Sequence, residues 1–196
     1  MALILIGVGI VLGLLRHGGV FPFDLVFSQF LQAHQPQWLL FFNLFISGFD
    51  FFLLPLALTL FLLKKKKYPK EAILILVSGF SFVLVSLMKR GFSLPCPAPP
   101  AVKLLFSFAR QRTACYPSGH VFDYVVFFGL LICLRRRIFQ SIWLQQAIFG
   151  LGLFLITLVG ISRIFLGAHW LTDVLGGYFL GLGWLLILCF LKKLKD

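Results

Sequence analysis

Six apolar stretches, at residues 1–15, 38–63, 71–88, 118–134, 144–161 and 171–191, dominate this chain, and only short polar segments separate them. A straight helix needs about 20 residues to cross the hydrocarbon of a bilayer, with a range near 17–25. Three of the stretches meet that length directly and residues 118–134 sit at its lower limit. The first is short, about 22 Å as a helix, and starts in the headgroup region or thins the bilayer locally. The second is long and broken by Ser47, Gly48 and Asp50. It reads as an interfacial helix near 36–47, with Asp50 at an outer-interface helix start, followed by a span from about 50 to 66. The chain therefore reads as six membrane-spanning helices in a single unit, residues 1–196.

Composition closes off the alternatives. Of 196 residues 60% are hydrophobic and 12% charged, and 25 are Phe; mean hydropathy is +1.01. Disorder requires low hydrophobicity and high charge. A soluble domain carries about 25% charged residues, so there is too little polar surface here for an ordinary soluble enzyme. The opening run lacks the basic start and small-residue cleavage site of a secretory signal peptide.

The net charge of +12 would suit nucleic acid, but its placement argues otherwise. Of 18 Lys and Arg, 11 fall in three clusters: Lys64, Lys65, Lys66, Lys67 and Lys70; Arg135, Arg136 and Arg137; Lys192, Lys193 and Lys195. Cytoplasmic loops of membrane proteins are enriched in such residues. The clusters set both termini and the loops at 64–70 and 135–143 in the cytoplasm, and residues 16–37, 89–117 and 162–170 outside. Gly9 with Gly13, and Gly177 with Gly181, have the spacing that lets membrane helices approach closely. Among four cysteines no metal-binding spacing occurs. Cys96 and Cys115 share one polar loop and form the one plausible disulfide pair; Cys133 and Cys189 lie in apolar runs and read as buried small residues.

The other seven cations are Arg16, Lys89, Arg90, Lys103, Arg110, Arg112 and Arg163. Six gather in two outer segments, which also hold His120 and His169. In the first, Pro117 and Ser118 precede an apolar run, a helix-start signal. Free N–H groups at such a start bind anions, Gly119 permits close approach, Ser118 adds a hydroxyl and His120 lies just inside. An ordinary Ser cap with a buried histidine is the plain reading of these residues alone. In the second, His169 and Asp173 are four apart and share a helix face. A carboxylate on one imidazole nitrogen leaves the other free to attack. Arg163, at the preceding helix end, is suited to a bidentate phosphate clamp. A purely structural ion cluster is the alternative, but such groups beside a bilayer are costly unless used.

These residues resemble the type 2 phosphatidic acid phosphatase (PAP2) superfamily, which is similar to vanadium haloperoxidases and includes integral-membrane lipid phosphatases. The PSGH motif is complete at Pro117, Ser118, Gly119 and His120, and S-R-x5-H-x3-D at Ser162, Arg163, His169 and Asp173. The first motif, K-x6-R-P, is partial: six residues after Lys89 stand Cys96 and Pro97. The resemblance implies an all-α, six-transmembrane-helix bundle that hydrolyses a phosphorylated membrane lipid without cofactor or metal. It implies His169 as nucleophile, Asp173 as its orienting partner and His120 as the acid for the leaving oxygen. Lys89, Ser118, the Gly119 N–H and Arg163 would hold the phosphoryl oxygens. Charge in phosphoryl transfer spreads over the equatorial oxygens, so fixed cations contribute most.

A thiol does not replace a bidentate guanidinium, so Cys96 leaves three outcomes open. Arg90, Lys103, Arg110 or Arg112 reaches the phosphate instead; activity is reduced or redirected; or the protein binds lipid without turning it over. A phosphotransferase of the same fold also fits. Asp123, one turn below His120, is expected to pair with His120 or a loop arginine.

Overall fold

The computed structural model describes residues 1–34, 38–39, 53–65, 68–97 and 114–193. Among them the chain is all-α. The helices are α1 (Ala2–Arg16), α2 (Pro22–His34), α3 (Leu53–Lys64), α4 (Pro69–Gly79), α5 (Ser81–Phe92), α6 (Gly119–Ile138), α7 (Ile142–Phe165) and α8 (Leu171–Lys193). The interfacial helix expected near 36–47 and the helix start at Asp50 lie mostly outside the described residues, as do Lys103, Arg110 and Arg112.

Three segments are long and apolar enough to cross a membrane: Pro69–Phe92, Ile142–Phe165 and Leu171–Leu191. The first is α4 and α5 in succession, broken at Phe80. Two shorter apolar helices, Ala2–Arg16 and Pro55–Lys64, accompany them. The helix α6 has the length to cross, about 30 Å, but carries Asp123, Arg135, Arg136 and Arg137. The three arginines fall in its last turn, where Arg136 and Arg137 are exposed, and the rest of α6 is the central helix of the bundle. It packs on both α7 and α8, and Val121, Phe122, Val125, Val126, Phe127 and Leu130 are buried along it.

The two glycine spacings are both contact points. A Cβ at Gly9 would fall 2.5 Å from Leu180 Cγ, so α1 and α8 touch there almost backbone to side chain. A Cβ at Gly177 would fall 2.9 Å from the Ser118 carbonyl oxygen and one at Gly181 3.1 Å from Val125 Cβ, seating α8 against α6. Apolar side chains also cover the exterior: Leu3, Leu14, Phe82, Leu87, Leu151 and Phe154 are all exposed, as suits helices solvated by lipid tails. Cys133 is exposed and Cys189 half-buried, which corrects the expectation of two buried thiols; Cys189 still packs against the core cluster around Leu134 and Leu185.

Helix ends sort into two groups. Tyr68, Arg136, Arg137, Phe139, Gln140 and Gln145 line a shared recess, and Arg137 pairs with Glu71, so two of the basic clusters meet at one end. At the opposite end converge the C-termini of α1, α5 and α7 and the N-termini of α2, α6 and α8, which carry the motif residues.

One element was not anticipated. Residues 22–34 read as part of an outer connection, yet they form α2, and its polarity is inverted. Asp24, Ser28 and Gln32 are buried, while Phe23, Val26, Phe27 and Phe30 face outward. The sequence does carry the signal, as polar residues at i, i+4 and i+8, with Pro22 at the first helical position.

Candidate active site

The two complete motifs meet where α6 begins beside the start of α8. The Ser118 N–H donates to the Asp173 carbonyl at 2.9 Å, tying the PSGH segment to the first turn of α8. Trp170 precedes that helix, and its N–H donates to Asp173 Oδ2 at 2.9 Å. This is half of a capping box, with the third helical residue reaching back to the cap. The same oxygen lies 3.6 Å from His169 Nδ1. That is ion-pair distance, slightly long for a hydrogen bond; catalytic contacts in ligand-free sites are often long. It directs Nδ1 at the carboxylate and leaves Nε2 as the second nitrogen.

His169 is not on a helix, contrary to the helical-face argument. It occupies the turn at residues 166–170 between α7 and α8, and its N–H donates to the Arg163 carbonyl at 3.2 Å. Gly167 in that turn has φ +68°, a conformation that favours glycine. Ser162, Arg163, His169 and Asp173 are all buried. Ser162 Oγ donates back to the Val159 carbonyl at 2.8 Å.

Lys89 reaches the same corner from the last turn of α5: a Cβ at Gly119 would lie 3.8 Å from Lys89 Cε. Glycine there leaves the start of α6 open beside a cation. His120 follows, half-buried, and Ser118 is wholly buried, with no hydrogen-bond partner for its Oγ among the described residues. A buried hydroxyl in that state calls for a functional explanation, and its place at a helix N-terminus suits an anion. Arg90 is exposed at the end of α5. Asp123 lies one turn into α6, near Ser81 and Lys89 of α5; the loop arginines Arg110 and Arg112 considered as its partners lie outside the described residues.

Cys96, in the place of the motif arginine, is bonded to Cys115 with Cα atoms 5.1 Å apart. The Cys115 N–H donates to the Leu94 carbonyl at 2.9 Å. Cys115, His169 and Asp173 place one ligand atom each within 4.8 Å of one another. The sulfur is already spent in the disulfide, so the set offers an imidazole and a carboxylate without a thiolate, too few for a zinc site. Tyr116 fills the space behind, its hydroxyl donating to the Gly9 carbonyl; burial pushes its phenol well above the usual range.

A family model described as the PAP2 superfamily matches residues 70–195, which take in all three motif positions. The chain belongs to the PAP2 superfamily. This PAP2 protein is 34% identical over 85 residues to phosphatidylglycerophosphatase B of Bacillus subtilis (strain 168), over 42% of this chain and 39% of that protein. The match thus spans about two fifths of that relative's length. Its fold matches the crystal structure of a transmembrane PAP2-type phosphatidylglycerolphosphate phosphatase from Bacillus subtilis, with a TM-score of 0.70, covering 100% of this chain and 97% of that one at 19% identity. Its fold is that of a transmembrane PAP2 protein, in keeping with the three segments long and apolar enough to cross a membrane.

Sequence reasoning missed two groups in this PAP2 site. Nothing in their local sequence marks Arg16 or Asp24, yet both are buried against Thr172, the neighbour of Asp173. Burial pushes the Asp24 carboxyl above the usual range, against two Thr172 hydrogen bonds and the Arg16 charge that hold it down.

Proposed function

We propose that this chain, as one unit over residues 1–196, hydrolyses a phosphorylated lipid, phosphate or pyrophosphate, through a phosphohistidine on His169. The observation that carries the reading is the buried His169–Asp173 pair at 3.6 Å, set beside a helix N-terminus and Lys89. His169 Nε2 attacks phosphorus, and the lipid oxygen leaves with a proton from His120. Water, giving a proton to the now neutral His120, then attacks the phosphohistidine, releasing inorganic phosphate and restoring both imidazoles. Asp173 holds the Nδ1–H and balances the positive ring. Lys89, Ser118, the Gly119 N–H and Arg163 stabilise the equatorial oxygens, and no step calls on a metal.

The names of the relatives make phosphatidylglycerol phosphate the first substrate to test, ahead of undecaprenyl pyrophosphate and phosphatidic acid. The positive-inside rule puts the site on the outer face of the cytoplasmic membrane, both termini inside, in a six-span bundle that includes α1, α3 and α6. The test is phosphate release from these lipids in detergent, wild type against His169→Ala. Loss of at least about 10³-fold is expected for removal of a covalent nucleophile; equal rates would overturn the enzyme reading. Adding an acceptor lipid separates hydrolysis from transfer.

A further inference from the structure

The nucleophile proposed above sits on a turn, and turns are less rigid than the helices they join. Something must hold residues 166–170 while phosphorus is attacked. The inverted helix α2 lies across both ends of that turn. At one end Gln32 Nε2 donates to the carbonyl of Phe165, the last residue of α7, at 3.1 Å. At the other, the Thr172 N–H donates to Asp24 Oδ1 at 2.8 Å and the Thr172 hydroxyl to Asp24 Oδ2 at 2.9 Å. Asp24 thus caps the start of α8 from 148 residues away, next to the residue that faces His169.

Arg16 locks the cap. Its Nε lies 3.7 Å from Asp24 Oδ2 and donates to Thr172 Oγ1 at 3.2 Å. Its two terminal nitrogens donate to the carbonyls of Gly19 at 3.1 Å and Pro95 at 3.4 Å, and its guanidinium lies over the Trp170 ring at 5.9 Å. Arg16, Asp24 and Thr172 are each at most 1% exposed. A buried ion pair is a poor way to gain stability alone, because desolvation offsets much of the attraction. What it does supply is a fixed geometry, and here it is spent on the two helix ends that flank the nucleophile.

We propose that α2 is a clamp on the catalytic turn, with Arg16, Asp24 and Gln32 as positioning residues that hold His169 against Asp173. The proposal rests on the phosphohistidine reading and adds residues that touch neither phosphate nor lipid. Thr172→Val removes the hydroxyl and keeps the shape; Thr172→Ser restores it; Asp24→Asn and Gln32→Leu release the two ends in turn. With phosphatidylglycerol phosphate in detergent, Thr172→Val and Gln32→Leu should lower kcat between about 10- and 100-fold with KM within about twofold, the signature of lost alignment rather than lost binding. Thr172→Ser should recover most of the rate. The ¹⁵N shifts of the His169 imidazole, assigned with His169→Gln, should move from a single Nδ1–H tautomer to a mixture in Thr172→Val and Asp24→Asn. The Val and Ser pair carries the test independently of how well Asp24→Asn folds. Wild-type kcat and an unchanged tautomer in a folded Thr172→Val protein would overturn the clamp. If wild type cleaves none of the lipids, the phosphatase reading falls and the tautomer measurement decides the clamp by itself.

Discussion

Cys96 stands where the first PAP2 motif has its arginine, and its sulfur is bonded to Cys115 rather than aimed at a phosphate. The substitution exchanges a charge contact for a covalent tie between the segment leaving α5 and the one entering α6. Restoring the arginine therefore does not restore the motif. Cys96→Arg and Cys96→Ser should each lose about 3 kcal/mol of stability, the loop-closure contribution of a bridge of this span. Thermal denaturation in detergent should show it, with reductant abolishing the difference from wild type. Phosphate release by Cys96→Arg should stay at or below the wild-type rate; a gain would show that the guanidinium matters more than the tie. At this scale the sequence was legible wherever spacing is local. His169 and Asp173 are four apart, so a turn and the first coil of a helix still bring them together, although no continuous helix joins them. Arg16 and Asp24 were illegible because their partner Thr172 lies 156 and 148 residues away, and no local period encodes that.

Helices α6 and α8 carry the two motif ends, and their contact is set by glycine. Gly177→Ala would place a methyl 2.9 Å from the Ser118 carbonyl and 3.0 Å from Val121 Cβ. A backbone oxygen has little room to retreat, so the helices must part just below Ser118 and Asp173. A loss of about 1–3 kcal/mol is expected for such overpacking, together with reduced kcat. Gly150→Ala, where no atom lies within 4 Å of the added carbon, should be neutral or slightly stabilising through helix propensity. Melting temperatures and phosphate release on the two variants check the contrast. Apolar length and G-x-x-x-G spacing made these helices and contacts readable. The helix α2 is hard to read because its buried face is the polar one, which gives it the look of a polar connection. The break at Phe80, by contrast, does carry a mark, since Ser78, Gly79 and Ser81 flank it and Gly/Ser pairs are where helices kink.

Over the whole molecule the PAP2 fold sorts its charges by end, with the clusters at Lys64 and Arg135 to one side and the motif cations to the other. A 126-residue family match within the 196-residue chain leaves α1, α2 and α3 outside it, yet α1 and α2 supply Arg16, Asp24 and Gln32 to the site region. Lipid contact explains why hydropathy alone could recognise the class but not the arrangement. An apolar exterior and an apolar core look the same in sequence, so exposed Cys133 was read as buried. The Cys96–Cys115 bridge has a further consequence, in redox terms. Bacterial and eukaryotic cytosols keep thiols reduced, whereas compartments outside them let disulfides persist. A chain that keeps this bond is expected to mature with its motif end on the oxidising side, which would agree, by an unrelated chemistry, with the orientation proposed above from the basic clusters. Protein purified from intact membranes should accept a thiol label at Cys133 and Cys189 alone, and at all four cysteines after reduction. Expressed in cells that lack thiol oxidation outside the cytoplasm, it should label at all four from the start.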